Sequence, residues 1–179
     1  VGVRFEPTLA SIKGGKGVWT GAPIRSELMH GSAEGAQDFC AFEHPDRPWV
    51  MFMGGSLGAE AINKAVSACT EQLCNSYNVV HIRGTGKLDK SLDLPGYRQY
   101  EYVNEQMADL FAAASLVVCR SGANTLFELL ALSKPSLLIP LPLSASRGDP
   151  IHNAKYFERN GYSPIFFQED LTPQTPGEG

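Results

Sequence analysis

Residues Ser121 to Thr125 (SGANT) stand between the apolar run SLVVC (115–119) and a segment, Ala123 to Leu132, whose apolar positions recur at helical spacing. That order of strand, small polar loop and helix brings three kinds of group to one point. Gly122 and Ala123 let a ligand approach the backbone closely, and Ser121, Asn124 and Thr125 carry hydrogen-bonding side chains. The helix start adds free N–H groups at the positive end of its dipole. Together these groups suit a phosphate or pyrophosphate. The same letters also describe an ordinary capped helix, because Thr125-x-x-Glu128 fits a capping box. Glu128 therefore has two readings: box carboxylate, or acceptor for the hydroxyls of a ribose one turn into a phosphate-binding helix. The residue types alone leave both open.

Three more junctions have related chemistry. Gly54-Gly55-Ser56-Leu57-Gly58-Ala59 follows the apolar stretch PWVMFM (48–53) and precedes a long helical pattern. It looks like a phosphate-cradling turn, but it is neither G-x-G-x-x-G nor a P-loop, and a simple tight turn reads equally well. In SASRGDPIHN (144–153), Asp149 before Pro150 predicts an N-cap with Pro at the first helical position. Asp149 and Asn153 would then reach a polar ligand in the same cleft; the Arg147-Gly148-Asp149 tripeptide is read as coincidence. TGAPIR (20–25) is a turning loop whose Arg25 matters if the other loops bind an anion. A weaker candidate is His81-x-x-Gly84-x-Gly86-Lys87, after the strand NVVHI. No Ser-His-Asp or Cys-His set and no spaced carboxylate pair argues for hydrolysis. His30, His44, His81 and His152 are scattered, and Cys40, Cys69, Cys74 and Cys119 form no C-x-x-C pair, so neither a metal nor another cofactor is expected.

These junctions need a frame that turns them to one side. KGVWT (16–20), PWVMFM, NVVHI (78–82), YRQYEYV (97–103), SLVVC and PSLLIP (135–140) read as strands. Between them, Leu57–Leu73, Asn104–Ala114, Ala123–Leu132 and Pro150–Asn160 have helical periodicity. Strands alternating with helices predict an α/β fold, a parallel Rossmann-like sheet with helices on both faces. In such sheets ligands bind beyond the carboxyl ends of the strands, where all four junctions fall.

The 179 residues suffice for one α/β domain with a real core, and 43% hydrophobic with 19% charged residues describes a globular chain. The net charge of -4 shows no basic face for nucleic acid. Apolar runs are broken well before spanning length, and the cysteine usage reads as a reduced cytosolic protein with inert thiols. The first ten residues lack a signal-peptide layout and an initiator Met, which suggests a piece of a longer chain.

In order and spacing, TGAPIR, GGSLGA, CRSGANTLFELLALSKPSLLIPL and SASRGDPIHNA resemble the donor half of the MurG family of N-acetylglucosaminyltransferases, from about Lys16 to Asp170. The resemblance implies the C-terminal half of a GT-B enzyme that transfers N-acetylglucosamine from UDP-GlcNAc to a lipid-linked muramoyl-pentapeptide in peptidoglycan synthesis. It divides the chain into a remnant of the first domain and linker (1–15), the donor-binding domain (16–170) and a loose tail (171–179). By resemblance Ser121, Gly122, Ala123, Asn124 and Thr125 meet the donor diphosphate, and Glu128 meets the ribose. Ser56 and Arg25 fall near the nucleotide and its phosphates, and the backbone at Val103 and Asn104 meets the uracil. Where the family often has a Gln for the sugar hydroxyls this chain has Pro150, which leaves Asp149 to make those contacts. The resemblance further implies that the general base lies in a domain that would precede Val1, so no catalytic residue is expected here. The resemblance also implies a cytoplasmic enzyme, peripheral on the inner face of the cell membrane when complete. Two rival readings are the donor-binding subunit of a two-chain transferase and a UDP-sugar epimerase of the same fold.

Overall fold

The computed structural model describes residues 1–171, apart from the side chains of residues 56–59. A short parallel ribbon comes first, β1 (Gly2–Val3) beside β2 (Val18–Trp19). The helix α1 (Ala33–Cys40) leads into the main sheet, built from β3 (Trp49–Met53), β4 (Asn78–Ile82), β5 (Tyr97–Tyr100), β6 (Ala114–Cys119) and β7 (Ser136–Leu138). Their spatial order is β5-β4-β3-β6-β7, and every pairing is parallel. The connections include α2 (Gly55–Cys74) after β3, α3 (Met107–Ala113) before β6 and α4 (Ala123–Ala131) before β7, with α5 (Asp149–Arg159) following.

The near-continuous apolar runs of β3 and β6 follow from burial on both faces. Alternation along each strand divides their side chains between two clusters. Trp49, Met51, Val117 and Cys119 join Leu110, Phe111, Leu126, Leu129 and Phe157 in the larger one. Val50 and Val118 point the other way, to Ile62 and Val66 of α2. Met51 lies opposite Val80 on one side and Val117 on the other, so β3 is the centre of the sheet.

Several expectations change in detail. The segment 16–20 does not join the main sheet; its Val18–Trp19 pair with β1. The strand expected over 97–103 ends at Tyr100. Helix α1 was not anticipated: it is only 8 residues long and is capped by Ser32, whose Oγ accepts from the Gly35 N–H at 3.0 Å. The capping box at Thr125 is ruled out, because α4 begins two residues before Thr125 and its N-cap is Gly122. Asp149 is likewise the first residue of α5 and not its cap, which is Gly148 at φ 94. Of the tail expected over 171–179, all but Leu171 lies outside the described residues.

Candidate functional site

Strand β3 has β4 on one flank and β6 on the other, so the chain order reverses across β3 and β6. In an open parallel sheet that reversal leaves a crevice beyond the carboxyl ends of the two strands. Met53 and Cys119, the last residues of β3 and β6, are register partners. The Gly54-Gly55 turn and the Arg120-Ser121-Gly122 turn therefore leave the sheet side by side.

The start of α4 forms the polar side of the crevice. No side chain caps this helix, and its N-cap, Gly122, has φ -68 and ψ 134. A methyl group built on Gly122 would meet no atom within 4 Å, so the space beside its Cα at the helix start is open. Ser121 lies behind it: its buried hydroxyl donates to the Pro150 carbonyl, while its own carbonyl accepts from Asn153 Nδ2 at 3.1 Å. Both bonds tie the loop to the start of α5. Asn124 is exposed in the first turn, and its Oδ1 accepts from Arg4 at 2.8 Å. Asp149 is exposed at the head of α5.

One turn further on, Glu128 is nearly enclosed, with a side chain 10% exposed against 53% for its partner Arg25. The guanidinium engages both carboxylate oxygens, Nε to Oε1 at 2.9 Å and Nη2 to Oε2 at 3.3 Å. The hydrogen bond to Glu128 raises the Arg25 pKa above its usual value. Arg4 and Arg25, from the segment that precedes the sheet, thus bring positive charge beside a helix start that is itself positive. Arg4 was not among the sequence candidates. An arginine in an exposed N-terminal stretch has no local signal, and only the 120-residue reach to Asn124 reveals it.

On the other side of the crevice a cavity of about 340 Å³ lies beyond β3, β4 and β5, lined by Met53, Ile82, Gly84, Tyr102, Val103 and Met107. Val103 is buried at its wall, and Asn104 is exposed beside it. Ser56 belongs to the first turn of α2, and its side chain lies outside the described residues.

His81 does not face this crevice. It is buried within β4, where Nδ1 contacts Tyr97 Oη at 2.9 Å and Nε2 contacts Asn63 Oδ1 at 2.8 Å. Because Asn63 Nδ2 donates to the Arg83 carbonyl, its Oδ1 accepts, and His81 carries its proton on Nε2. Burial, with Arg83 nearby, pushes the His81 pKa down to about 3. A neutral, enclosed imidazole holds structure and does not serve as a base. Arg120 is also committed, donating to the Ile139 carbonyl at 3.0 Å and to Gln168 Oε1 at 2.7 Å. Burial pushes the Cys119 thiol up to about 12, so it stays protonated and inert at neutral pH. Among the described residues no group of three or more His, Cys, Asp or Glu is placed to hold a metal ion. No described helix is long and apolar enough to cross a membrane. A cavity of about 500 Å³ near Arg47 and Asn78 lies at the amino end of β4, away from the switch point.

A parallel sheet with two glycine turns and an open, uncapped helix start at its switch point defines a Rossmann-like domain of the GT-B glycosyltransferase type. Residues 49–175 match the glycosyltransferase family 28 C-terminal domain, and the chain belongs to that family. It is 48% identical over 173 residues to the UDP-N-acetylglucosamine–N-acetylmuramyl-(pentapeptide) pyrophosphoryl-undecaprenol N-acetylglucosamine transferase of Clostridium novyi, covering 96% of this chain and 48% of that protein. To the enzyme of the same name in Geobacillus thermodenitrificans it is 46% identical, covering 97% and 49%. The crystal structure of Acinetobacter baumannii MurG superposes with a TM-score of 0.64 at 25% identity, over 88% of this chain and 46% of that one. The chain spans about half the length of the relatives it matches.

Proposed function

We propose that this chain is the donor-binding half of an inverting transferase that moves N-acetylglucosamine from UDP-GlcNAc to a lipid-linked muramoyl-pentapeptide. The observation that carries the proposal is the open, uncapped start of α4 at the switch point, flanked by Arg25 and Glu128. The names of the relatives supply the donor and the acceptor. In this reading the N–H groups around Gly122, Ala123, Asn124 and Thr125 meet the diphosphate, with Arg25 and Ser56 beside it. Glu128 accepts from the ribose, and the Val103–Asn104 backbone edges the cavity that takes the uracil. Asp149 reaches the sugar, while Ser121 and Asn153 hold the diphosphate loop against α5. Charge growing on the departing UDP is stabilised by a helix start that needs no reorganisation. The complete enzyme works at the cytoplasmic face of the cell membrane, on a lipid-linked acceptor.

Calorimetric titration with UDP, UDP-GlcNAc, GDP-mannose and NAD tests this. UDP and UDP-GlcNAc should bind in preference to the other two. Equal or tighter binding of NAD would overturn the assignment.

A further inference from the structure

We infer that Arg25 is a positioning residue for ribose recognition, acting through Glu128; the inference rests on the donor-site reading above. Arg25 presents its Nε and Nη2 edge to the carboxylate, one nitrogen to each oxygen. That fork fixes the plane of the carboxylate and uses one acceptor position on each oxygen. A second acceptor position on each oxygen remains for a hydroxyl. The pair is therefore compatible with a ribose diol and does not have to break to admit one.

The alternative, in which a nucleotide displaces Arg25 from Glu128, runs against burial. Glu128 is enclosed at the base of the site, and stripping the cation from an enclosed carboxylate leaves an uncompensated charge. Arg25 itself is half-exposed and reaches Glu128 across 103 residues of sequence, from the loop that precedes the 3-10 turn Ser26–His30, the last before α1. The carboxylate orientation thus depends on a loop outside the main sheet. A lysine could supply the charge at this position but not the two-pronged geometry.

The test compares UDP with 2′-deoxy-UDP, because their affinity ratio reports the 2′-hydroxyl of the diol while any phosphate contribution of Arg25 cancels. For the unaltered protein we expect UDP to bind at least roughly tenfold more tightly, in line with a hydrogen bond to a charged acceptor. In Arg25→Gln the ratio should fall to within about twofold of one, as it should in Glu128→Gln. Arg25→Lys should behave like Arg25→Gln, despite keeping its charge. Melting curves for each variant establish that it is folded, and the Lys variant covers a failure of the Gln variant to fold. If Arg25→Gln weakens both ligands equally and leaves the ratio intact, Arg25 serves the phosphates alone and the inference falls. A ratio that rises in Arg25→Gln means competition instead of positioning, and overturns it as well. A ratio near one in the unaltered protein removes the ribose role of Glu128, and the inference goes with it.

Discussion

Gly122 is where a single atom separates binding from folding. Its φ of -68 and ψ of 134 are open to any L residue, and a methyl group there would touch nothing within 4 Å. Alanine should therefore fold as well as glycine, or gain up to about 0.4–1 kcal/mol from a stiffer unfolded chain. In the proposed donor site the methyl group would nonetheless intrude where a phosphate oxygen approaches the N–H groups of α4. We expect Gly122→Ala to keep its melting temperature and to lose at least roughly tenfold in UDP affinity, about 1.4 kcal/mol. Unchanged affinity in a titration would place the diphosphate elsewhere. Glu128 teaches a related lesson. Its spacing from Thr125 satisfied a capping pattern, yet the helix starts earlier and the carboxylate serves Arg25 instead. Local spacing could not decide between those roles, because the deciding partner lies 103 residues away.

At the level of elements, β4 shows how a polar side chain can belong to the core. His81 accepts from Tyr97 and donates to Asn63, while Arg83 donates to Tyr97 Oη at 3.1 Å and to Ser67 Oγ at 3.1 Å. Protonating His81 would set a second N–H against the Tyr97 hydroxyl. Its folded pKa of about 3 lies below the ordinary 6.5, so between those values the unfolded chain takes up a proton that the folded chain refuses. The stabilisation from the neutral ring is thus complete above about pH 6.5 and is lost as pH falls toward 3, at up to about 1.4 kcal/mol per pH unit. Thermal midpoints measured from pH 7 down to pH 4 should fall more steeply for the unaltered protein than for His81→Gln. Parallel slopes would contradict the neutral, enclosed assignment. His81 also shows what the sequence made legible. Its position in a strand was readable from NVVHI; its direction was not, because an imidazole suits either a cleft or a core. The main sheet, α2, α4 and α5 were readable from long apolar periodicity. Helix α1 was not: it has 8 residues, weak hydrophobicity and a serine cap that resembles an ordinary turn. The site loops were readable as glycine turns at strand ends. The arginines that reach them came from the segment before the sheet, where nothing local marks a partner.

At the scale of the whole molecule, the deciding fact is that relatives of similar sequence are about twice as long. The residues near the crevice supply positive charge, backbone N–H groups and the Glu128 carboxylate, groups that in the proposed donor site would bind a donor or stabilise a leaving diphosphate. A transfer also needs a base within hydrogen-bonding reach of the acceptor hydroxyl. His81 is enclosed and neutral, and Glu128 is paired with Arg25, so neither is disposed to take that proton. The 179-residue chain should therefore bind UDP-GlcNAc and transfer almost none of its sugar. A missing base typically costs about 10² to 10⁴ in rate, and an acceptor that is not held beside the donor loses the advantage of a preassembled reaction as well. The assay would combine purified chain, UDP-GlcNAc and a lipid-linked muramoyl-pentapeptide and follow formation of the disaccharide, with a full-length relative as the positive control. We expect donor binding by calorimetry in the same preparation, turnover by the control and product near background for the chain. Robust turnover by the chain alone would mean that a base lies within these residues. His152, exposed on α5, would then be the first side chain to replace.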